Sequence, residues 1–315
     1  MTTLHPDSGR GSTVLVTALA PAAWGLTYVV TTELLPPGRP LLAGVLRALP
    51  AGLVLVAATR RRPVGIWWAR ATVLGTLNIG GFFALLFVAA YRLPGGVAAT
   101  LGSIQPLLAA ALAAALLRER FHRRTAVAGV VGMIGVALLV LRPEARLDAV
   151  GILAGLTGAA SMATGVVLTK RWGRPVPLLA FTSWQLVAGG LVLLPVALAI
   201  EGAPPHLTAS NVAGFLWLAT GGTAVAYALW FRGIDRLPVA QVSLLGLMSP
   251  VVATLAGWLV LDQTLRPVQQ VGGLVIATAL ITGQRLPAPD GRRTAPEPPL
   301  ATSVRPRRSL APSTP

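Results

Sequence analysis

Long apolar stretches, separated by short polar segments, follow one another along almost the whole chain. Several approach or exceed the roughly 20 residues that an α-helix needs to cross a bilayer about 30 Å thick. Their limits predict ten transmembrane helices, at residues 14–35, 41–59, 66–91, 95–117, 124–141, 149–170, 177–200, 210–232, 238–260 and 268–284. The predicted fold class is therefore an all-α membrane protein.

The second half of the chain repeats the first. The segment Gly-Leu-Val-Leu at positions 52–55 recurs at 190–193, and Arg-Leu-Pro at 92–94 recurs at 236–238. Repetition of this kind indicates duplicated structural units. Each copy contains five predicted helices, an odd number, so the second copy must enter the membrane from the opposite side. The sequence therefore predicts two inverted five-helix repeats.

The repeat divides the chain into four segments. They are a cytoplasmic N-terminal tail at 1–12, the first repeat at 13–141, the second repeat at 149–284, and a disordered cytoplasmic tail at 285–315. Both tails are too polar to fold on their own. The first apolar stretch is expected to be a retained helix and not a cleaved signal peptide, because Pro21 would directly follow the cleavage site.

Basic residues are distributed unequally between the two predicted sides of the membrane. Outside the C-terminal tail, fourteen lie on the side that holds both termini and five on the other. Because Lys and Arg concentrate on the cytoplasmic side, both termini are predicted to be cytoplasmic. The 25 arginines and single lysine, with abundant alanine, glycine and proline, are typical of a high-GC bacterial genome. A bacterial inner membrane is the expected location.

Composition excludes several classes of function. Charged residues make up 11% of the chain, against about 25% in soluble domains. The net charge of +16 does not indicate a nucleic-acid partner, because the basic residues lie between apolar stretches and in the tail. The chain has no cysteine, and its three histidines lie in predicted loops or tails. We therefore expect no catalytic residues, metal site or cofactor, and no enzyme activity.

Short motifs in the apolar stretches carry a family resemblance. They are Trp24-Gly25, Arg47, the stretch 90–96, Gln105-Pro106, Glu119, Gly129 and Gly132 in the first half, and Leu237-Pro238, Ser249-Pro250 and Gly272-Gly273 in the second. Through them the chain resembles the EamA type of the drug/metabolite transporter superfamily over residues 14–284. The resemblance implies a single-chain transporter that works by alternating access, commonly an exporter of amino acids or other small metabolites.

The second half departs from this motif pattern at three positions. Met162 replaces the tryptophan, Gln185 replaces the arginine and Gln263 replaces the glutamate. Polar positions therefore differ between the halves. A substrate site built by both halves is expected to be asymmetric.

Each half carries a proline near the middle of its fourth predicted helix. Pro106 follows Gly102 by four residues, and Pro250 follows Gly246 by four. Proline removes a backbone hydrogen bond and clashes with the carbonyl four residues earlier. Interrupted helices at corresponding positions of two repeats indicate a substrate site near the membrane midplane. The alternative is that these breaks only shape helix packing.

Arg47 is the only basic residue well inside an apolar stretch. A charge within the membrane is costly and usually has a function. We predict that Arg47 faces a central cavity and neutralises an anionic group, either a substrate carboxylate or phosphate, or Glu33 in one conformation. The alternatives are that its side chain extends to the membrane surface or bonds to helix carbonyls.

Other polar and aromatic side chains could line the same cavity. With Arg47, the substrate-binding candidates are Trp24, Tyr28, Asn78, Phe83, Gln105, Trp184, Gln185, Tyr227 and Ser243. The amides are the strongest of these, because hydrocarbon offers them no hydrogen-bond partner. The aromatic residues have the alternative roles of packing and of anchoring at the membrane interface.

The combined prediction is a secondary transporter that exports a small organic solute. One alternative is a membrane scaffold or sensor without transport, which the paired helix breaks disfavour. Another is a membrane-embedded enzyme, which the lack of a catalytic cluster disfavours. The expected partners are the lipid bilayer and a small-molecule substrate; small-residue faces such as Ala128/Gly132 allow a homodimer but do not require one.

Overall fold

A computed structural model of the protein describes residues 6–93, 95–119, 122–140, 148–204, 206–260, 262 and 264–284. Every regular element in these ranges is a helix. The α-helices are α1 (Pro6–Leu34), α2 (Pro40–Thr59), α3 (Trp67–Gly75), α4 (Gly81–Arg92), α5 (Gly95–Gly102), α6 (Gln105–Leu117), α7 (Arg123–Val140), α8 (Ala149–Trp172), α9 (Leu178–Glu201), α10 (Ala209–Ala219), α11 (Ala226–Arg236), α12 (Val239–Leu245), α13 (Met248–Val260) and α14 (Pro267–Gln284). Two π-helical segments, Thr76–Gly80 and Thr220–Val225, join α3 to α4 and α10 to α11.

Nine helical segments in the described ranges are long and apolar enough to cross a membrane. They coincide with nine of the ten predicted helices, which confirms an all-α, multi-pass membrane protein. The tenth predicted helix corresponds to α14, which is 18 residues long. Gln269, Gln270 and Gln284 near its ends lower its mean hydropathy, so the tenth crossing stays a prediction.

The chain ends differ in how much of them the structure describes. Helix α1 extends from Pro6, the first residue that the structure describes. Residues 6–12, predicted as part of a polar tail, are therefore helical. The predicted tail at 285–315 lies outside the described residues.

Helices from the two halves of the chain pack against each other. The extensive contacts include α2 with α9, α7 with α14, α4 with α8, and α1 with α13. Each of these pairs joins one helix before residue 141 to one after residue 148. The halves therefore form one interleaved bundle.

Glycines bring α2 and α9 into close contact at two places. A Cβ atom at Gly52 would lie 2.8 Å from the backbone nitrogen of Val187, and one at Gly190 would lie 2.9 Å from the Cβ of Leu49. Small residues allow this approach between membrane helices. In the repeat that relates 52–55 to 190–193, Leu49 corresponds to Val187 and Gly52 to Gly190. The two contacts are therefore reciprocal: each helix supplies a glycine and receives a side chain.

Candidate functional site

The two π-helical segments occupy corresponding positions in the halves. Thr76, the first residue of one segment, and Thr220, the first residue of the other, are counterparts in the repeat that relates 92–94 to 236–238. A π turn locally replaces the regular α-helical hydrogen bonds and is frequent at functional sites. In both segments this places polar backbone and side-chain groups inside the bundle.

Arg47 of α2 reaches the second π segment. It is buried, with 8% of its surface exposed. Its Nε donates a hydrogen bond to Thr223 Oγ1 at 2.8 Å, and its Nη2 donates to the carbonyl oxygen of Gly222 at 2.8 Å. The guanidinium carbon lies 5.0 Å from the ring centroid of Phe83, within cation–π range. The side chain is therefore fixed by partners from two other helices.

These contacts correspond to the alternative interpretation of Arg47, in which it bonds to helix carbonyls. Within the described ranges no ion pair to Arg47 is formed, and Glu33 is exposed. The predicted pairing with Glu33 is thus not present in this conformation. Pairing with an anionic substrate stays a prediction.

Gln185 of α9 reaches the first π segment. Its Oε1 accepts a hydrogen bond from Asn78 Nδ2 at 2.8 Å, and the same nitrogen lies 3.3 Å from Thr169 Oγ1. The hydroxyl of Tyr227 donates to the carbonyl oxygen of Asn78 at 3.1 Å. These four residues are at most 2% exposed. They form a polar network shielded from solvent.

The Arg47 and Gln185 contacts are related by the sequence repeat. Gln185 is the counterpart of Arg47, and Gly222 is the counterpart of Asn78. A side chain at the same position of α2 or α9 therefore reaches the same position of the opposite half's π segment. One contact carries a charge and the other an amide, the asymmetry expected from the departure at Gln185.

Several buried polar atoms of the bundle lack a hydrogen-bond partner in the described part of the chain. They are Asn78 Oδ1, Gln185 Nε2, Trp24 Nε1, Trp230 Nε1 and both side-chain polar atoms of Gln241. Leaving such an atom unpaired costs about 1–3 kcal/mol, so each of them favours a partner that the described part of the chain does not supply. They offer hydrogen-bonding capacity for a polar ligand.

An aromatic cluster adjoins the polar network. The Trp24 ring centroid lies 5.2 Å from that of Tyr227 and 5.1 Å from that of Trp230. Phe231 lies 5.8 Å from Tyr227 and 5.7 Å from Phe181. These spacings are those of interacting aromatic pairs. The cluster joins α1, α9 and α11 beside Asn78.

The two predicted helix breaks are interruptions between separate helices. Helix α5 ends at Gly102 and α6 begins at Gln105, whereas α12 ends at Leu245 and α13 begins at Met248. Pro106 and Pro250 thus lie in the first turn of α6 and α13. Their missing N–H is tolerated there, and the clash that proline would cause in a helix interior is avoided.

The interruptions lie near one another. Gln105 Nε2 is 3.5 Å from Ser243 Oγ, a long hydrogen bond. A Cβ atom at Gly246 would lie 3.0 Å from the carbonyl oxygen of Ser243 and 4.0 Å from Gln105 Oε1. The candidates Gln105, Ser243 and Gly246 are therefore neighbours, whereas a Cβ at Gly102 would meet no atom within 4 Å.

Two substrate-binding candidates, Trp184 and Tyr28, are not among the residues that form the polar network. Trp184 Nε1 donates to the carbonyl oxygen of Arg61 at 2.9 Å, and its ring lies 6.3 Å from that of Trp67. This residue ties α9 to the loop after α2. The side chain of Tyr28 lies outside the described part of the structure, as does Gln263.

Four residues of the site were missed by sequence analysis. Thr169 and Thr223 hydrogen-bond to Asn78 and Arg47, Gly222 supplies a carbonyl to Arg47, and a Cβ at Gly165 would clash with Asn78 Oδ1. Threonine and glycine are common in membrane helices for packing reasons alone. Only their three-dimensional neighbours distinguish these four from the rest.

Polar contacts also tie helices together near two sets of helix ends. Lys170, the single lysine, donates to the carbonyl oxygen of Leu237, and its Nζ lies 3.7 Å from Glu119 Oε1. Glu119 Oε2 accepts a hydrogen bond from the backbone nitrogen of Val239 at 3.2 Å. These contacts join the ends of α6 and α8 to the α11–α12 junction. At the end of α9, Glu201 contacts the start of α2.

An all-α membrane fold with paired helix interruptions and a buried polar network is typical of membrane transport proteins, and sequence comparison identifies the family. The chain belongs to the EamA-like transporter family, whose pattern matches residues 11–141 and again residues 149–282. The same pattern thus matches each half of the chain once. The protein is a transporter-family member, not an enzyme, as the sequence predicts.

Individual relatives agree with this family. Protein PecM of Dickeya dadantii is 49% identical over 267 residues, which cover 84% of this chain and 90% of that protein. A probable amino-acid metabolite efflux pump of Salmonella typhimurium is 30% identical over 285 residues, covering 83% and 91%. A solved crystal structure matches with a TM-score of 0.75 at 20% identity, over 86% of this chain and 96% of that one; this likeness concerns the fold alone.

Proposed function

We propose that the protein exports a small organic metabolite of amino-acid size by alternating access. The two halves, α1–α7 and α8–α14, act as inverted repeats in a bacterial inner membrane, with both termini in the cytoplasm. Helix α14 is the tenth crossing. The observation that carries the proposal is the pair of related contacts, Arg47 with Gly222 and Gln185 with Asn78.

Arg47 and Gln185 lie at equal distances from the starts of their helices, as counterparts in a repeat should. Arg47 is seven residues after Pro40, the first residue of α2, and Gln185 is seven residues after Leu178, the first residue of α9. At about 1.5 Å per residue, both lie roughly 10 Å along their helices. If the halves are inverted, these depths are measured from opposite faces, so the two side chains flank the midplane.

Inverted repeats provide a simple mechanism for alternating access. Both related contacts are formed in the structure, which corresponds to an occluded state. Opening either contact while the other stays closed would expose the solute to one side of the membrane. Arg47–Gly222 would then close one entrance and Gln185–Asn78 the other. Because a charged contact and an amide contact differ in strength, the two states would not be equally populated.

The chemistry of the network supports an amphipathic solute. Unpaired amide and indole groups offer donors and acceptors, and the Trp24–Tyr227–Trp230 cluster offers apolar faces. Pockets for small molecules combine these features. The Salmonella typhimurium relative, a probable amino-acid metabolite efflux pump, supports amino acids and related metabolites as the first substrates to test.

Counterflow in proteoliposomes tests the proposal. Vesicles containing the purified protein and loaded with one unlabelled amino acid should accumulate the labelled form from outside, and protein-free vesicles should not. Asn78→Leu should slow this exchange by removing the network's central amide. Thr164→Val is the matched control, because the Thr164 hydroxyl bonds to Ala160 of its own helix. The experiment is repeated with each amino acid and with related metabolites. If the folded protein exchanges none of them, the result contradicts the proposed export and favours a role without transport.

A further inference from the structure

A groove of about 370 Å³ opens on the side of the bundle between α2, α3 and α9. Leu53 and Leu191 form part of its wall, and Arg61 and Arg62 lie at its end beside Trp68. It is separate from the polar network around Asn78. Trp184, predicted from the sequence as a substrate-binding residue, lines this groove and not the polar network.

The wall of this groove faces the lipid. Leu53 is 53% exposed, Leu191 is 54% exposed and Trp68 is 58% exposed, and all three lie in helices that are apolar enough to cross a membrane. Exposed leucines in such helices contact acyl chains, and tryptophan prefers the level of the headgroups. The groove therefore runs from the hydrocarbon at Leu53 to the membrane surface at Trp68.

The surface end of the groove is basic. Arg61 and Arg62 are exposed, and neither forms an ion pair within the described ranges. The nearby Arg70 differs, because its guanidinium lies over the rings of Trp67 and Trp172, at 5.1 and 5.4 Å. Arg61 and Arg62 thus leave two guanidinium groups at the groove without a carboxylate from the described part of the chain.

The loop that carries these arginines is held in place. Arg60 ends α2 in a left-handed conformation, with φ of 51°, and its backbone nitrogen donates to the carbonyl of Val56 at 2.8 Å. Trp184 of α9 donates to the carbonyl oxygen of Arg61. The arginine backbone is therefore fixed against the same helix that forms one wall of the groove.

We propose that the groove binds an anionic glycerophospholipid. One acyl chain lies along Leu53 and Leu191, and the phosphate is bound by Arg61 and Arg62. Arginine pairs well with phosphate through parallel hydrogen bonds. Basic pockets between membrane helices bind anionic headgroups in the same way. A zwitterionic lipid fits the apolar wall equally well, but its headgroup adds a positive charge beside two arginines.

Native mass spectrometry of the full-length protein, with phosphatidylglycerol and phosphatidylcholine as probes, tests this site. We expect the wild type to bind phosphatidylglycerol roughly tenfold to thirtyfold more tightly, since each arginine near a membrane surface adds several-fold affinity for anionic lipid. The double variant Arg61→Ala/Arg62→Ala should lose this preference. Its fold should survive, because Trp184 bonds to a backbone atom of Arg61 that the substitution keeps.

The matched control is Arg123→Ala/Arg124→Ala. These two arginines are also adjacent and exposed, and they do not line the groove. The control should keep the preference for phosphatidylglycerol, and soluble glycerol phosphate should not displace the bound lipid. An equal loss of preference in both double variants would indicate only diffuse surface charge and would overturn the site. Displacement by glycerol phosphate would overturn the role of the acyl chain.

Discussion

The carboxylate of Glu201, the last residue of α9, lies across the first turn of α2: its Oε1 accepts a hydrogen bond from the backbone nitrogen of Leu41 at 2.6 Å. Its Oε2 accepts a second from Leu42 at 2.8 Å. The first N–H groups of a helix have no partner within the helix and carry partial positive charge. A residue far away in sequence therefore caps α2, and this contact joins the two halves of the chain.

Removing this cap should destabilise the protein. Glu201→Ala leaves two partly buried N–H groups without their acceptor, at a cost of about 1–3 kcal/mol. Thermal unfolding in detergent should show a lower Tm than for the wild type. Glu33→Ala, which removes an exposed carboxylate, is the control and should unfold at the wild-type temperature. Equal Tm values for both variants would show that the Glu201 cap does not contribute to stability.

The contact between Arg47 and Thr223 should matter for stability and transport together. Thr223→Val keeps the shape of the side chain but removes the oxygen that accepts from Arg47 Nε, which leaves a buried charged donor unpaired. We expect the free energy of unfolding to fall by about 1–3 kcal/mol, which thermal unfolding in detergent should show as a lower Tm. Exchange of the solute, once known, should slow in parallel. Thr220→Val is the control, because the exposed Thr220 hydroxyl bonds to Leu216 and Trp217 of its own helical segment.

Substitutions of Arg47 itself separate charge from geometry. Arg47→Lys keeps the charge but cannot donate from two nitrogens to Thr223 and Gly222 at once, so exchange should be impaired. Arg47→Gln also loses the charge and should be impaired further. The measurement is initial exchange rate at equal protein density in proteoliposomes. Normal exchange by Arg47→Gln would rule out anion binding and leave Arg47 a structural role.

The space around two helical glycines predicts different effects of replacing them by alanine. Gly52→Ala places a methyl group 2.8 Å from the backbone of Val187, so the helices must separate and Tm should fall. Gly273→Ala in α14 meets no atom within 4 Å. It should be neutral or stabilising by up to about 1 kcal/mol, because alanine favours helix. A fall in Tm for Gly273→Ala as large as for Gly52→Ala would contradict this packing argument.

The proposed topology can be tested with introduced cysteines, because the chain has none of its own. Single substitutions Arg62→Cys and Pro204→Cys place thiols in exposed segments at opposite ends of the bundle. In intact cells, an impermeant thiol reagent should label position 204 and not position 62; after permeabilisation it should label both. The reverse pattern in intact cells would place both termini outside.

The sequence predicts helices well here because long apolar stretches have few alternatives in a membrane. It also identifies Asn78 and Gln185 individually, since buried amides need partners. It does not predict the π segments. Close contacts with α9 accompany the first of them: a Cβ at Gly75 would lie 2.7 Å from the carbonyl oxygen of Gln185, and one at Gly80 would clash with that of Gly189. Such contacts between distant parts of the chain leave no periodic signal.

The hydrogen-bond partners of a charged side chain are harder to predict from the sequence than its depth in the membrane. The position of Arg47 in an apolar stretch correctly indicates a buried charge, yet its partners are Thr223 and Gly222. Glu33, one of the two anionic partners predicted, is exposed. A threonine hydroxyl and a backbone carbonyl are available on many membrane helices. Their selection depends on how α2 faces α10 and α11, which hydropathy does not encode.

The reciprocal fit of Gly52 against Val187 and Gly190 against Leu49 bears on how such a chain could arise. An interface in which the same patch meets itself is the kind that two identical subunits form about a twofold axis. A five-helix ancestor with this interface would already dimerise, and gene fusion would only need to add a connecting segment. After fusion the two copies of every position mutate independently, so position 47 could carry arginine while position 185 carries glutamine, a specialisation that a true homodimer cannot achieve.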